Sequence, residues 1–202
     1  MAKQGYHHGN LRQALVEAAL ILIEAQGPQG FTLSDAAKSA GVTPAAVYRH
    51  FAGRDDLIAE CARQGFLIFA DVMERAYDGG RPTALKAFEA TGRAYLAFAR
   101  TFPGHYKAMF ESGIRMNATP ELAEAAQRAS SVLTRAAQAL ADQLPEGRRP
   151  PAAMFAAHVQ AMSHGVVELY TRGTRSPFAA EDLLETGIGI YLRGLGLLPA
   201  DK

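Results

Sequence analysis

Thiol chemistry is nearly missing from this chain, which has one cysteine, Cys61, among its 202 residues. A single thiol cannot close an internal disulfide and leaves no Cys-x-x-Cys pair for a redox or zinc centre, so a buried structural role is expected for Cys61. Long apolar runs are missing too. No stretch approaches the roughly 18 residues of a membrane span, and the polar segment 1–10 lacks the apolar core of a secretory signal. A cytoplasmic protein with no membrane partner is therefore expected. Neither charge sign is in excess, with 21 Lys plus Arg against 20 Asp plus Glu and a formal net charge of +1. Any nucleic-acid function must rest on where cations are placed, not on overall basicity.

Catalytic patterns are equally scarce. The chain has no glycine-rich phosphate loop and no strand-turn nucleophile. Ser163 and His164 are neighbours in sequence, so their side chains diverge on a helix and cannot pair as nucleophile and base. His164 and Glu168 share a helical face but lack a third ligand, and His7-His8 is also incomplete. No enzyme activity, metal or cofactor is expected.

What is present is helical periodicity over almost the whole chain. Hydrophobic residues make up 49% and charged residues 20%, an ordinary globular balance, and no strand alternation, repeat or low-complexity tract competes. Leu11, Leu15, Ala18 and Leu22 recur at three and four, with Asn10 placed to cap and Gly27-Pro28 to stop the run. Thr32 can cap a short second helix carrying Leu33, Ala36, Ala37 and Ala40 on one face. Gly41 ends it, and Thr43 with Pro44 opens a third that runs toward Phe51. Further helices are predicted over about 54–77, 83–102, 104–112, 120–143, 151–172 and 180–196, with the clearest break at Asp78-Gly79-Gly80-Arg81-Pro82. The fold class is all-α.

Two short helices joined by a glycine turn behind a longer one form a helix-turn-helix pattern. On the third helix Val47 and Phe51 lie four apart and must face inward, which turns Pro44, Ala45, Tyr48 and Arg49 outward. Small residues at the start let the backbone approach base edges. Arg49 can bond guanine O6 and N7 together, Thr43 can donate or accept, and Ala45 can touch a thymine methyl. Tyr48 and His50 suit phosphates, and Arg54 adds a cation at the start of the next helix.

The stretch "LVEAALILIEAQGPQGFTLSDAAKSAGVTPAAVYRHFAGRDDLIAE" (15–60) resembles the N-terminal domain of the tetracycline-repressor family, and the likeness extends over residues 6–66. The resemblance implies that Tyr48 contacts DNA, that His50 and Arg54 grip phosphates, and that positions 43–45 with Arg49 set sequence preference. Thr32 and Ser34 complete the expected DNA-facing set. Arg54 stands where many members carry lysine. "GYHHGNLR" (5–12) is similar to the arm that precedes the first helix in part of the family, which would bring Lys3, His7, His8 and Arg12 to a neighbouring phosphate. The implied organisation is an arm and DNA-binding domain over 1–53, a connecting helix over 54–78 and a ligand-binding and dimerisation domain over 79–202.

"FPGHYKAMF" (102–110) and "HGVVEL" (164–169) resemble a class of regulatory domains in the family named for a Trp-His-Gly signature. The chain departs from it by having no tryptophan, Gln160 standing about where that residue would fall. The family implies a homodimer joined through the last two long helices. Met154, His158, Met162, Gly165 and Leu169 on one helix fit such a seam, as do Ile188, Leu192, Leu195 and the small Gly187, Gly189, Gly194 and Gly196 on the next. An effector cavity between helices would draw on Phe66, Phe69 and Met73, on Tyr95, Phe98 and Phe102, on Tyr106, Met109, Phe110 and Met116, and on Met154, His158 and Met162. His158 is the candidate polar anchor.

The resemblance thus implies a ligand-responsive repressor that binds a near-palindromic double-stranded operator as a homodimer and is released by a small, largely apolar effector. Two alternatives stand beside it. One is an activator or corepressed regulator of the same family, the other a helical small-molecule-binding protein or enzyme with a vestigial DNA module.

Overall fold

The computed structural model describes residues 11–171, 173 and 176–199, and every regular element among them is helical. In chain order these are α1 (Leu11–Gln26), α2 (Leu33–Ser39), α3 (Pro44–Val47), α4 (Arg54–Tyr77), α5 (Ala84–Thr101), α6 (Pro103–Phe110), α7 (Pro120–Ala141), α8 (Ala152–Thr171) and α9 (Ala180–Leu195). Short 3-10 turns follow α4 and α7. The expected helices are all found, although the third is shorter than the run toward Phe51 suggested. Asn10, Lys3, His7 and His8, expected as a cap and a DNA-contacting arm, lie outside the described residues.

Two compact units divide the chain. One gathers the described residues up to Phe66 together with residues 102–126, and the other holds residues 67–101 and the described residues from 127 onward. In the first unit α1 buries Leu15, Val16, Ala19 and Ile23, the i, i+4 spacing of an amphipathic face. Phe31, Ala36, Ala37, Leu57, Ile58 and Cys61 are among the other buried residues of that core. Burial pushes the Cys61 thiol up to about 12, so it is a small apolar side chain and not a nucleophile.

The sixth helix joins this unit through a close approach that only glycine permits. A Cβ on Gly104 would lie 2.6 Å from the backbone oxygen of Leu20, and one on Gly65 would lie 2.6 Å from the sulfur of Met109. Lys107 Nζ donates to the Glu24 carbonyl at 2.8 Å, meeting one of the acceptors left unpaired in the last turn of α1.

The second unit is built on apolar stripes of the same kind. The fifth helix buries Phe88, Tyr95 and Phe98, and α9 buries Leu184, Ile188 and Leu192 at four-residue spacing. Phe155 of α8 packs on Phe88 and Tyr191 with ring centroids 5.4 and 5.5 Å apart. Gly196, expected to ease helix packing, instead ends α9 in the left-handed conformation with φ 81°. Its lack of a side chain answers to the backbone. No described helix is long and apolar enough to cross a membrane.

One buried charge organises the surface of the first unit. Glu60, 7% exposed, receives Arg12 at 2.9 Å, both nitrogens of an Arg63 fork at 2.8 Å, and the Gln64 amide at 2.9 Å. Burial alone would raise its carboxyl. The hydrogen bonds from Arg63, Arg12 and Gln64, with the charge of Arg63, outweigh that and hold it at about 2, below its ordinary 4.5. A carboxyl depressed in the folded state stabilises fully above its unfolded value, and that stability is lost as pH falls from about 4.5 to about 2. Glu60→Gln should lower the melting temperature at neutral pH by several degrees, an effect of about 1–3 kcal/mol. Thermal melts in stepped buffers should show the gap to the parent closing across that acid window. A gap that does not change with pH would contradict this account.

Candidate nucleic-acid interface and effector-site residues

The α2-turn-α3 segment is held by local bonds that its sequence specifies. The Thr32 hydroxyl accepts from the Asp35 backbone N–H at 3.2 Å while the Asp35 carboxylate accepts from the Thr32 N–H at 2.8 Å, a reciprocal capping box. At the other end Gly41 takes φ 71°, so that its N–H reaches Lys38 O at 3.1 Å and the Val42 N–H reaches Ala37 O at 2.9 Å. That pair of bonds is a Schellman ending, which reverses the chain within three residues. Pro44 then opens α3, where a missing N–H costs nothing.

A four-residue helix cannot hold itself together. Val47, fully buried, and Phe51, 1% exposed, fix it to the core, and the Arg12 guanidinium lies over the Phe51 ring at 5.0 Å. With those two turned inward, Thr43, Pro44, Ala45, Tyr48, Arg49 and His50 are all exposed, Tyr48 at 63%. Thr32 and Ser34 are exposed at the start of α2. The whole expected DNA-facing set of the two short helices therefore lies on the surface of one unit.

Of three further details, two differ from the sequence expectation. Thr43 occupies the cap position of α3, but its side chain makes no capping bond. The Thr32 hydroxyl caps α2 as expected, and also donates to the Asp35 carboxylate at 2.6 Å. Arg12, expected with the arm at a phosphate, is instead bonded to Glu60 and stacked on Phe51.

Arg54 begins α4, half-buried, with Asp55 and Asp56 in the same first turn. Asp56 Oδ2 accepts from the Ala52 N–H at 3.0 Å, closing the turn that leads out of α3. The Arg54 guanidinium donates to Gln29 Oε1 at 2.6 Å, and Asp55 Oδ1 lies 3.5 Å away. Gln29, in the α1–α2 turn, carried no periodic or motif signal. The Glu60, Arg63 and Gln64 cluster did carry one in its i+3 and i+4 spacing, though not one that pointed to burial.

The expected effector residues fall in both units. Phe69, Met73, Tyr95 and Phe98 are each buried in the second unit, with the Phe69 ring centroid 5.2 Å from that of Tyr95 and 4.9 Å from that of Phe98. Tyr95 OH lies 3.4 Å from His164 Nδ1, a polar pair beside that aromatic cluster. Phe66, Phe102, Tyr106, Met109 and Phe110 belong to the first unit, where Phe110 packs on Phe66 at 5.8 Å and on Tyr106 at 4.9 Å. Met154 and His158, expected to line a pocket, are exposed on α8, and Met162 is half-buried there. The reason is the helix phase: Phe155, Ala156 and Val159 take the inward face. His158 Nδ1 meets Tyr191 OH at 2.8 Å, and Met116 is exposed in the α6–α7 connection. Among the described residues no group of three His, Cys, Asp or Glu is placed to hold a metal.

Comparison with known proteins places this geometry. The family described as "Bacterial regulatory proteins, tetR family" matches residues 15–61, and "Tetracyclin repressor-like, C-terminal domain" matches residues 88–190. A comparison with curated proteins finds no match. Among solved structures, a protein of unknown function from Rhodococcus sp. RHA1 is 28% identical, with a TM-score of 0.78 over 95% of this chain and 98% of its own. The TetR family transcriptional regulator PfmR from Thermus thermophilus is 16% identical, with a TM-score of 0.69 over 89% and 97%. The fatty acid degradation regulator FadR from Bacillus halodurans is 13% identical, with a TM-score of 0.71 over 93% and 97%, and at these two identities the likeness is one of fold.

Anchor and display residues should separate in a stability measurement. Phe51→Ala should cost about 3–5 kcal/mol, the range for emptying a buried aromatic site. Tyr48→Ala should stay within about 0.5 kcal/mol, as for an exposed surface side chain. Urea unfolding of both variants checks this, and comparable losses would mean that the outward face is not a display surface.

Proposed function

The chain belongs to the tetracycline-repressor family, and from that premise we propose that it is a ligand-responsive transcriptional repressor, binding a near-palindromic operator as a homodimer. The observation that carries the proposal is the α3 face. Val47 and Phe51 anchor it from behind, and Pro44, Ala45, Tyr48, Arg49 and His50 present small groups and long donors on its outer side. Arg49 reads a guanine edge, Thr43 and Ala45 sense neighbouring bases, and Tyr48, His50 and Arg54 hold phosphates. Two such faces in a dimer enter successive major grooves about 34–36 Å apart.

Glycines support the proposed seam. A Cβ on Gly165 or on Gly194 would meet nothing within 4 Å among the described residues, so no described neighbour requires glycine there. Each glycine in a helix interior costs about 1 kcal/mol relative to alanine, which a close-packed partner helix offsets. Met154, Leu169 and Ile190 are exposed at 55%, 46% and 61% on the same two helices, as apolar residues awaiting a partner would be.

The effector is small and largely apolar, bound among Phe69, Met73, Tyr95 and Phe98 with the Tyr95–His164 pair as its polar contact. Its effect on DNA is set by differential affinity. A ligand that prefers the DNA-incompetent state about 100-fold weakens operator binding by about 2.7 kcal/mol.

The direct test is to incubate the protein with fragmented DNA from its source organism, recover what binds at physiological salt, and sequence it. An inverted repeat among the fragments is expected, and none, with or without prior extraction of bound ligand, would overturn the reading. On the recovered site, Arg49→Glu should abolish sequence-specific binding. Arg54→Ala should weaken all sequences about equally and lower the salt slope by roughly one, and unequal loss among site variants would refute its phosphate role. For the seam, Gly165→Arg should convert a dimer to a monomer in sedimentation without unfolding it; a persistent dimer would place the interface elsewhere.

A further inference from the structure

Gln29 is tied at both ends of its side-chain amide. Its Oε1 accepts from Arg54 Nη2 at 2.6 Å, and its Nε2 donates to the backbone oxygen of Ser112 at 2.9 Å, all three residues lying in the first unit. A guanidinium only donates and a carbonyl only accepts, so one orientation of the amide satisfies both and the flipped one satisfies neither. Ser112 is a firm post. It is buried, it follows the end of α6, and its own hydroxyl accepts from the Ile114 N–H at 3.1 Å.

We propose that Gln29 is a positioning residue for the DNA-phosphate contact of Arg54, holding the guanidinium in a fixed pose against the Ser112 carbonyl. This rests on the reading of Arg54 as a phosphate grip. A long arginine pays rotamer entropy on meeting a phosphate, and a partner that fixes its head beforehand removes part of that cost. Only one of the five guanidinium N–H groups is used by Gln29, which leaves the fork able to bond a phosphate oxygen pair. Neither glutamate nor lysine reproduces the arrangement. A glutamate would keep Arg54, lose Ser112 and add a negative charge beside the phosphates; a lysine would keep Ser112 and repel Arg54.

The test is a double-mutant cycle on the full-length protein, read by fluorescence anisotropy with a labelled mixed-sequence DNA duplex of about 30 base pairs over a series of salt concentrations. Gln29→Met keeps the length of the side chain and loses both bonds, and Gln29→Ala repeats the measurement should the methionine perturb the fold. Either variant should weaken binding about threefold with an unchanged salt slope, because no charge is lost, and should have no effect when Arg54→Ala is already present. Loss of similar size in both backgrounds would show that Gln29 acts on the fold and not through Arg54. No loss, or tighter binding, in the parent background would equally overturn the proposal. If Arg54→Ala itself leaves affinity and salt slope unchanged, the phosphate reading of Arg54 fails first, and the cycle distinguishes that failure from one confined to Gln29.

Discussion

Burial of Val47 and Phe51 is the constraint on which the displayed face of α3 depends. A helix of one turn has no cooperative stability of its own, so the direction of Tyr48 and Arg49 is inherited from two side chains pointing the other way. Phe51 is in turn covered by Arg12, and Arg12 is held by Glu60, which Arg63 and Gln64 also hold. The surface proposed to meet DNA is thus the outer end of a connected set of contacts that runs back into α1 and α4. Each member is individually modest, and their value lies in fixing one geometry.

Glycine serves opposite purposes in the two units. Gly104 and Gly65 sit where a Cβ would collide with a backbone oxygen or a methionine sulfur, and they let α6 lie close against α1 and α4. Gly165 and Gly194 sit over open space, where a side chain would fit this chain without difficulty. The first pair is explained by packing within the molecule. The second pair makes physical sense when something outside the chain approaches those helices.

The fold was largely legible because helical periodicity, Gly27-Pro28, Thr32 and Gly41 speak locally, and all four act as their chemistry suggests. The outward face of α3 was legible for the same reason: once Val47 and Phe51 are known to point inward, the helical repeat decides the rest. What escaped was set by partners distant in sequence. Gln29 meets Arg54 and Ser112 across 25 and 83 residues, and no local pattern announces either bond. The aromatic and methionine residues beyond position 65 were readable as apolar, but not in how they divide between the two units. Met154 and His158 fall outside the buried set because Phe155 and Val159 claim the inward side of α8, a choice of phase that several apolar positions on that helix would have allowed.

The lone cysteine has a practical consequence. Cys61 is fully buried, and with its thiol held near 12 it offers almost no thiolate at neutral pH. A cysteine introduced at an exposed position such as Ser34 would be the reactive thiol of the chain, with no native residue to remove first. The molecule is by its own composition a single-attachment scaffold, ready to carry one fluorophore or spin label on its α2-turn-α3 segment.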